Sequence, residues 1–151
     1  MIPTFEQYIK ETLDFSVTKT LYHGTNKTTM LKLKKGGFDD RYVMFTDDIN
    51  EAKRYAHSYC LQNMNKGVIK IDSPAIVTID SSSLRILSLS SYKAMQNNFD
   101  GAVDLAKKDL IDGVLSDDTK SNYFVIFNTQ KLNSLIKNNC VKFQELPDFT
   151  L

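Results

Sequence analysis

Five consecutive apolar residues, Tyr123-Phe124-Val125-Ile126-Phe127, constrain the fold of this chain more than any other stretch. The run is aromatic or β-branched throughout and too short for a buried helix, so it reads as a strand covered on both faces, in the middle of a sheet. The rest of the chain must then supply partner strands and the helices that cover them.

Those partners are readable from local pattern. Strands are expected over Lys19 to Tyr22, Tyr42 to Phe45, Gly67 to Ile71, Ala75 to Ile79, Asp112 to Leu115 and Cys140 to Leu146, with Asp72-Ser73-Pro74 as a turn. Residues 84 to 89 carry no decisive pattern. Helices are expected over residues 4 to 13, opened by a Thr4…Gln7 capping box, over 27 to 35, stopped by Gly36-Gly37, and over 48 to 62, capped by Thr46-Asp47-Asp48. Further helical material falls over 90 to 110, broken near Phe99-Asp100-Gly101, and over 130 to 137. About seven short strands and four or five helices, with few β-α-β alternations, indicate an α+β class. One domain over residues 1 to 151 is expected, with residues 1 to 18 as an N-terminal helical extension.

Composition narrows function mainly by exclusion. A hydrophobic share of 42% against 25% charged is that of a globular chain. The net charge of +1 argues against nucleic-acid binding through bulk electrostatics. Lys27, Lys32, Lys34 and Lys35 lie close together and read as a solvated helix face. Cys60 and Cys140 are far apart and show neither zinc nor disulfide spacing, so no metal is expected. No run approaches the roughly 18 apolar residues that a bilayer span needs, so no membrane is expected and the simplest location is a cytoplasm.

The stretch that invites chemistry is Thr20-Leu21-Tyr22-His23-Gly24-Thr25-Asn26, where a strand runs into a polar, glycine-punctuated end. It carries one of the two histidines of the chain. A histidine there either satisfies a strand-end carbonyl or faces a ligand.

The ordered set Tyr22-His23-Gly24-Thr25, Met44-Phe45-Thr46-Asp47-Asp48 before a helix with Ala52 and Tyr55-Ala56, Asp112-Gly113-Val114 and Tyr123-Phe124-Val125-Ile126-Phe127-Asn128 resembles the ADP-ribosyltransferase superfamily. It is most similar to the branch with diphtheria toxin and the poly(ADP-ribose) polymerases, marked by a His-Tyr-Glu pattern, and to its small phage and bacterial members. The resemblance covers residues 19 to 137. It implies split antiparallel β-sheets with flanking helices, NAD as substrate, and transfer of ADP-ribose to a protein or nucleic-acid acceptor, as a phage or bacterial effector acting in a cytoplasm, a host's included.

By the same resemblance His23 holds a ribose hydroxyl on the adenosine side, and Gly24 offers its backbone to the nicotinamide carboxamide. Thr25, Met44, Phe45 and Thr46 line the cofactor side, and Tyr55 stacks on the nicotinamide ring. Tyr123, or Asn122 after a one-residue slip, stands where the family has its catalytic glutamate. Met44 replaces the family's tyrosine, and Ala52 a frequent serine. Of the three-letter signature only His23 is kept. Asp117 or Asp118 from the preceding loop, or a hydrogen bond from Tyr123, are candidate substitutes for the lost carboxylate. The missing glutamate also admits a second reading, an inactive module that binds NAD, ADP-ribose or a protein partner.

Overall fold

The computed structural model describes residues 19–64, 67–88, 103–104, 106–116 and 123–147. The expected helix over 4 to 13, most of that over 90 to 110, and Asn122, Asp117 and Asp118 lie outside them. What is described is an α+β domain, built on a seven-stranded sheet and a separate two-stranded one.

The chain enters through β1 (Thr20–Asn26) and α1 (Lys27–Gly36), then β2 (Val43–Thr46) and α2 (Ile49–Ser58). Strands β3 (Leu61–Met64) and β4 (Gly67–Lys70) form the small sheet, followed by β5 (Pro74–Asp80), β6 (Ile86–Ser88), β7 (Gly113–Ser116), β8 (Tyr123–Ile126), α3 (Thr129–Lys137) and β9 (Lys142–Glu145). The large sheet runs β6-β7-β8-β2-β1-β5-β9. Its pairings are antiparallel except β6 with β7, which is parallel.

Strand β8 lies between β7 and β2, where its apolar run requires it to be. Phe124, Val125 and Ile126 are all buried. Alternation along the strands sorts the core into two layers. Leu21, Val77, Ile79, Phe45, Phe124 and Ile126 pack with Leu33 of α1 and Leu132 of α3 on one face. On the other, Ile76 and the half-buried Tyr22 pack against Ala52 and Ala56 of α2. The two alanines make α2 narrow on its inner side, which lets it approach β1 closely.

Each helix starts on a side chain suited to the task. Asn26 accepts from Thr29 N at 2.8 Å, Asp48 from Asn50 N at 2.9 Å and Asn128 from Lys131 N at 3.1 Å. Gly37 ends α1 at φ 77°, a left-handed conformation, with its N–H on Leu33 O at 2.8 Å. Asn133 of α3 reaches the same loop, accepting from Phe38 N at 2.7 Å and donating to Phe38 O at 2.9 Å.

Two segments depart from the sequence reading. The helix expected over 48 to 62 ends at Ser58, because Cys60 turns the chain: its N–H reaches back to His57 O, and its carbonyl takes the N–H of Ile71. Leu61 to Met64 then pair with β4 as a strand. The β-branched runs on either side of Asp72-Ser73-Pro74 consequently go to different sheets, β4 with β3 and β5 with β1 and β9.

Candidate functional site

The large sheet has a seam. Strand β1 is registered with β5 along its whole length, from Thr20 opposite Asp80 to Asn26 opposite Pro74. With β2 it is registered at Tyr22 opposite Thr46. Just past that pair the His23 ring spans the gap, Nδ1 donating to Met44 O at 2.8 Å. A cleft of about 420 Å³, its open mouth included, lies along the seam. Its walls are Tyr22, His23 and Gly24 from β1, Met44, Phe45 and Thr46 from β2, Ala52 and Tyr55 from α2, with Tyr59 and Tyr123. The lining is largely aromatic, as is common at small-molecule sites.

Because a carbonyl only accepts, the bond to Met44 fixes the proton of a neutral His23 ring on Nδ1 and leaves Nε2 with a free lone pair. Burial pushes the ring's pKa below its usual value, against smaller opposing pulls from the Met44 bond and the Asp40 charge. At neutral pH the ring is therefore an uncharged acceptor. Phe38 and Phe45 hold its orientation, with ring centroids at 6.0 and 5.6 Å.

Across the mouth stand two tyrosines, 68 residues apart in the chain, whose hydroxyls approach to 3.4 Å. Tyr123 comes from the first position of β8 and Tyr55 from the exposed edge of α2, where it is 37% accessible. The Tyr123 hydroxyl also donates to Glu51 Oε1 at 3.3 Å. Arg54 grips both oxygens of that carboxylate, with Nη2 on Oε1 and Nε on Oε2, and sets its guanidinium 5.3 Å from the centroid of the Tyr55 ring. The Arg54 hydrogen bond lowers the pKa of Glu51. The bond to Tyr123, and burial after it, raise that of Tyr55.

Most of the residues singled out from the sequence meet in this cleft: His23, Gly24, Met44, Phe45, Thr46, Tyr55 and Tyr123 all line it. Thr25 does not belong to that lining; it is buried in the sheet opposite Ala75. Gly24 has a reason to be glycine that the sequence did not suggest. A Cβ there would run into the carbonyl of Ala52 and come within 2.9 Å of Ala56 N, so the missing side chain makes room for α2 before it makes room for any ligand.

Two groups escaped the sequence reading. Glu51 was not singled out: by position it is a first-turn carboxylate with an arginine three residues on. Asp112 stood as the first residue of an expected strand, yet its carboxylate is fully buried and accepts from Arg85 N at 2.8 Å, Arg85 Nη2 at 3.0 Å, Lys131 Nζ at 2.9 Å and Asn128 Nδ2 at 2.9 Å. Burial alone would raise its pKa; these donors outweigh it and hold the carboxyl well below the usual range. Asp112 thus ties the β5–β6 connection, β7 and α3 together away from the cleft. Among the described residues no group of His, Cys, Asp or Glu is arranged to hold a metal ion, and no helix is long and apolar enough to cross a membrane.

No known family model matches the chain, and no curated protein does. Among solved structures, a chain from the crystal structure of the M. tuberculosis MbcT-MbcA toxin-antitoxin complex is similar in overall shape, at 14% identity and a TM-score of 0.49, over 93% of this chain and 91% of that one.

Proposed function

We propose that this protein is a mono-ADP-ribosyltransferase that takes ADP-ribose from NAD to a protein or nucleic-acid acceptor, as a phage or bacterial effector would. The observation that carries this reading is the convergence of His23, Tyr55 and Tyr123 on one aromatic cleft at the sheet seam. Cleaving the nicotinamide glycosidic bond develops positive charge on the ribose, so a suitable site must grip the substrate on both sides of that sugar and present electron-rich groups to it. Neutral His23 offers the Nε2 lone pair to a ribose hydroxyl. Tyr55 offers a ring face to the flat nicotinamide. Tyr22, Phe45 and Ala52 keep the floor of the cleft apolar, which strengthens polar contacts made within it.

The test joins binding to turnover. Calorimetry with NAD is run beside assays for nicotinamide release and for label transfer from NAD in a bacterial lysate. Binding with release or transfer is expected; bound NAD with neither would end the transferase reading. In its place would stand an inactive module that holds NAD or ADP-ribose, the reading favoured by a tyrosine rather than a carboxylate at the head of β8. A protein that binds no NAD would remove both.

A further inference from the structure

We infer that the carboxylate missing from β8 is supplied by α2: Glu51, acting through the hydroxyl of Tyr123, is the proton acceptor for the attacking nucleophile. This rests on the ADP-ribosyl-transfer reading of the cleft.

An ionised carboxylate only accepts, so in the contact between Glu51 and Tyr123 the phenol must donate. That leaves the Tyr123 oxygen with its lone pairs, and the hydroxyl of Tyr55, 3.4 Å away, is placed to donate to one of them. Protons are thus ordered from Tyr55 to Tyr123 to Glu51, and the chain ends on a carboxylate that Arg54 keeps charged. Tyr123 lines the cleft and Glu51 stands directly behind it, its side chain 17% exposed.

A plain i,i+3 ion pair on a helix surface does little for stability. What sets Glu51 apart is its second partner, brought from a strand 72 residues away to the cleft mouth. The charged and titratable groups that meet this carboxylate are Arg54 from its own helix and Tyr123 from β8, with Tyr55 one bond further on.

In the transfer step the C1′–N bond to nicotinamide breaks, and its electron pair leaves with the ring, which departs neutral. A lone pair of the acceptor forms the new bond to C1′. The acceptor's proton passes to the Tyr123 oxygen as the phenol's own proton passes to Glu51, which later returns it to water. Tyr123 is then the catalytic residue and Glu51 the group that positions and polarises it.

The test uses the full chain as Glu51→Gln, Glu51→Asp and Tyr123→Phe, with NAD as probe and radiolabelled NAD in a bacterial lysate for transfer. Thermal melts confirm folding. Glu51→Gln and Tyr123→Phe should keep NAD affinity within about twofold while transfer falls by about 100-fold, the scale of a lost general base. The double variant should fall no further than either single one, because the two groups act as a unit. Glu51→Asp should recover part of the rate. Wild-type transfer by Glu51→Gln, beside an active wild type, would overturn the inference and leave the transferase reading standing. A wild type that binds NAD without releasing nicotinamide would overturn both.

Discussion

The carbonyl oxygen of Ala52 occupies the space that a Cβ on residue 24 would need. The helix that carries Tyr55 and Glu51 is therefore seated directly on the strand that carries His23. Gly24→Ala should push α2 off β1 and cost at least about 2 kcal/mol, as overpacking against backbone does. For a chain of this size that lowers Tm by about 5 °C or more. Thermal unfolding followed by circular dichroism checks it; an unchanged Tm would show that the helix seat is looser than the packing implies.

Asp112 should dominate the acid limb of stability. Its carboxyl is held below its ordinary value, so its contribution is complete above the unfolded pKa of 3.8 and is lost as pH falls through the lower folded value. Asp112→Ala leaves Arg85 and Lys131 facing a buried gap and is expected to cost about 3–5 kcal/mol at neutral pH. Urea unfolding of the variant at pH 7, beside wild type from pH 7 down to 3, measures both. NAD affinity of whatever remains folded should be unaffected, since the cluster lies apart from the cleft.

The sign at His23 runs in the same sense from a different cause. Burial depresses the ring's pKa below 6.5, so the unfolded chain binds the proton more readily and stability declines as pH drops below 6.5 toward the folded value. Protonation also removes the Nε2 acceptor. NAD binding should accordingly be flat across neutral pH and weaken in acid, and His23→Ala should abolish that acid limb along with most of the affinity. Calorimetric titrations at a series of pH values would show it.

Tyr55 separates ring from hydroxyl. Tyr55→Ala should weaken NAD binding about fivefold, equivalent to about 1 kcal/mol of aromatic stacking. Tyr55→Phe should keep the affinity, because the Tyr123–Glu51 contact survives without it. Equal losses in the two variants would mean that the hydroxyl, not the ring face, meets the substrate.

What could be read in advance follows from how local the physics is. Phe124, Val125 and Ile126 announced a central strand because a segment buried on both faces must be apolar at every position. Asp48 announced a helix start because a cap is satisfied within three residues. The strand end at His23 was legible for the same reason, polar groups and a glycine closing an apolar run. Glu51 was not, since its meaning depends on Tyr123 arriving from another strand, and beside Arg54 it has the pattern of a solvated pair. Asp112 was hidden likewise: Asp-Gly is a turn signal until Arg85 and Lys131 close over it. The hairpin of β3 and β4 was lost because the apolar positions Ala52, Tyr55, Ala56 and Tyr59 carry a helical rhythm right up to the turn at Cys60.

The bond from His23 to Met44 makes the ring a clasp between two half-sheets that otherwise meet at Tyr22 and Thr46. One side of the cleft is built by β1 with β5 and β9, the other by β2 with β8 and β7, and the spacing between them is set where a single imidazole bridges the gap. Whatever replaces residue 23 alters the width of the opening as well as its chemistry. On the proposed reading one side chain serves as both gauge and grip, and a substitute that restores the hydrogen bond to NAD must also restore the span.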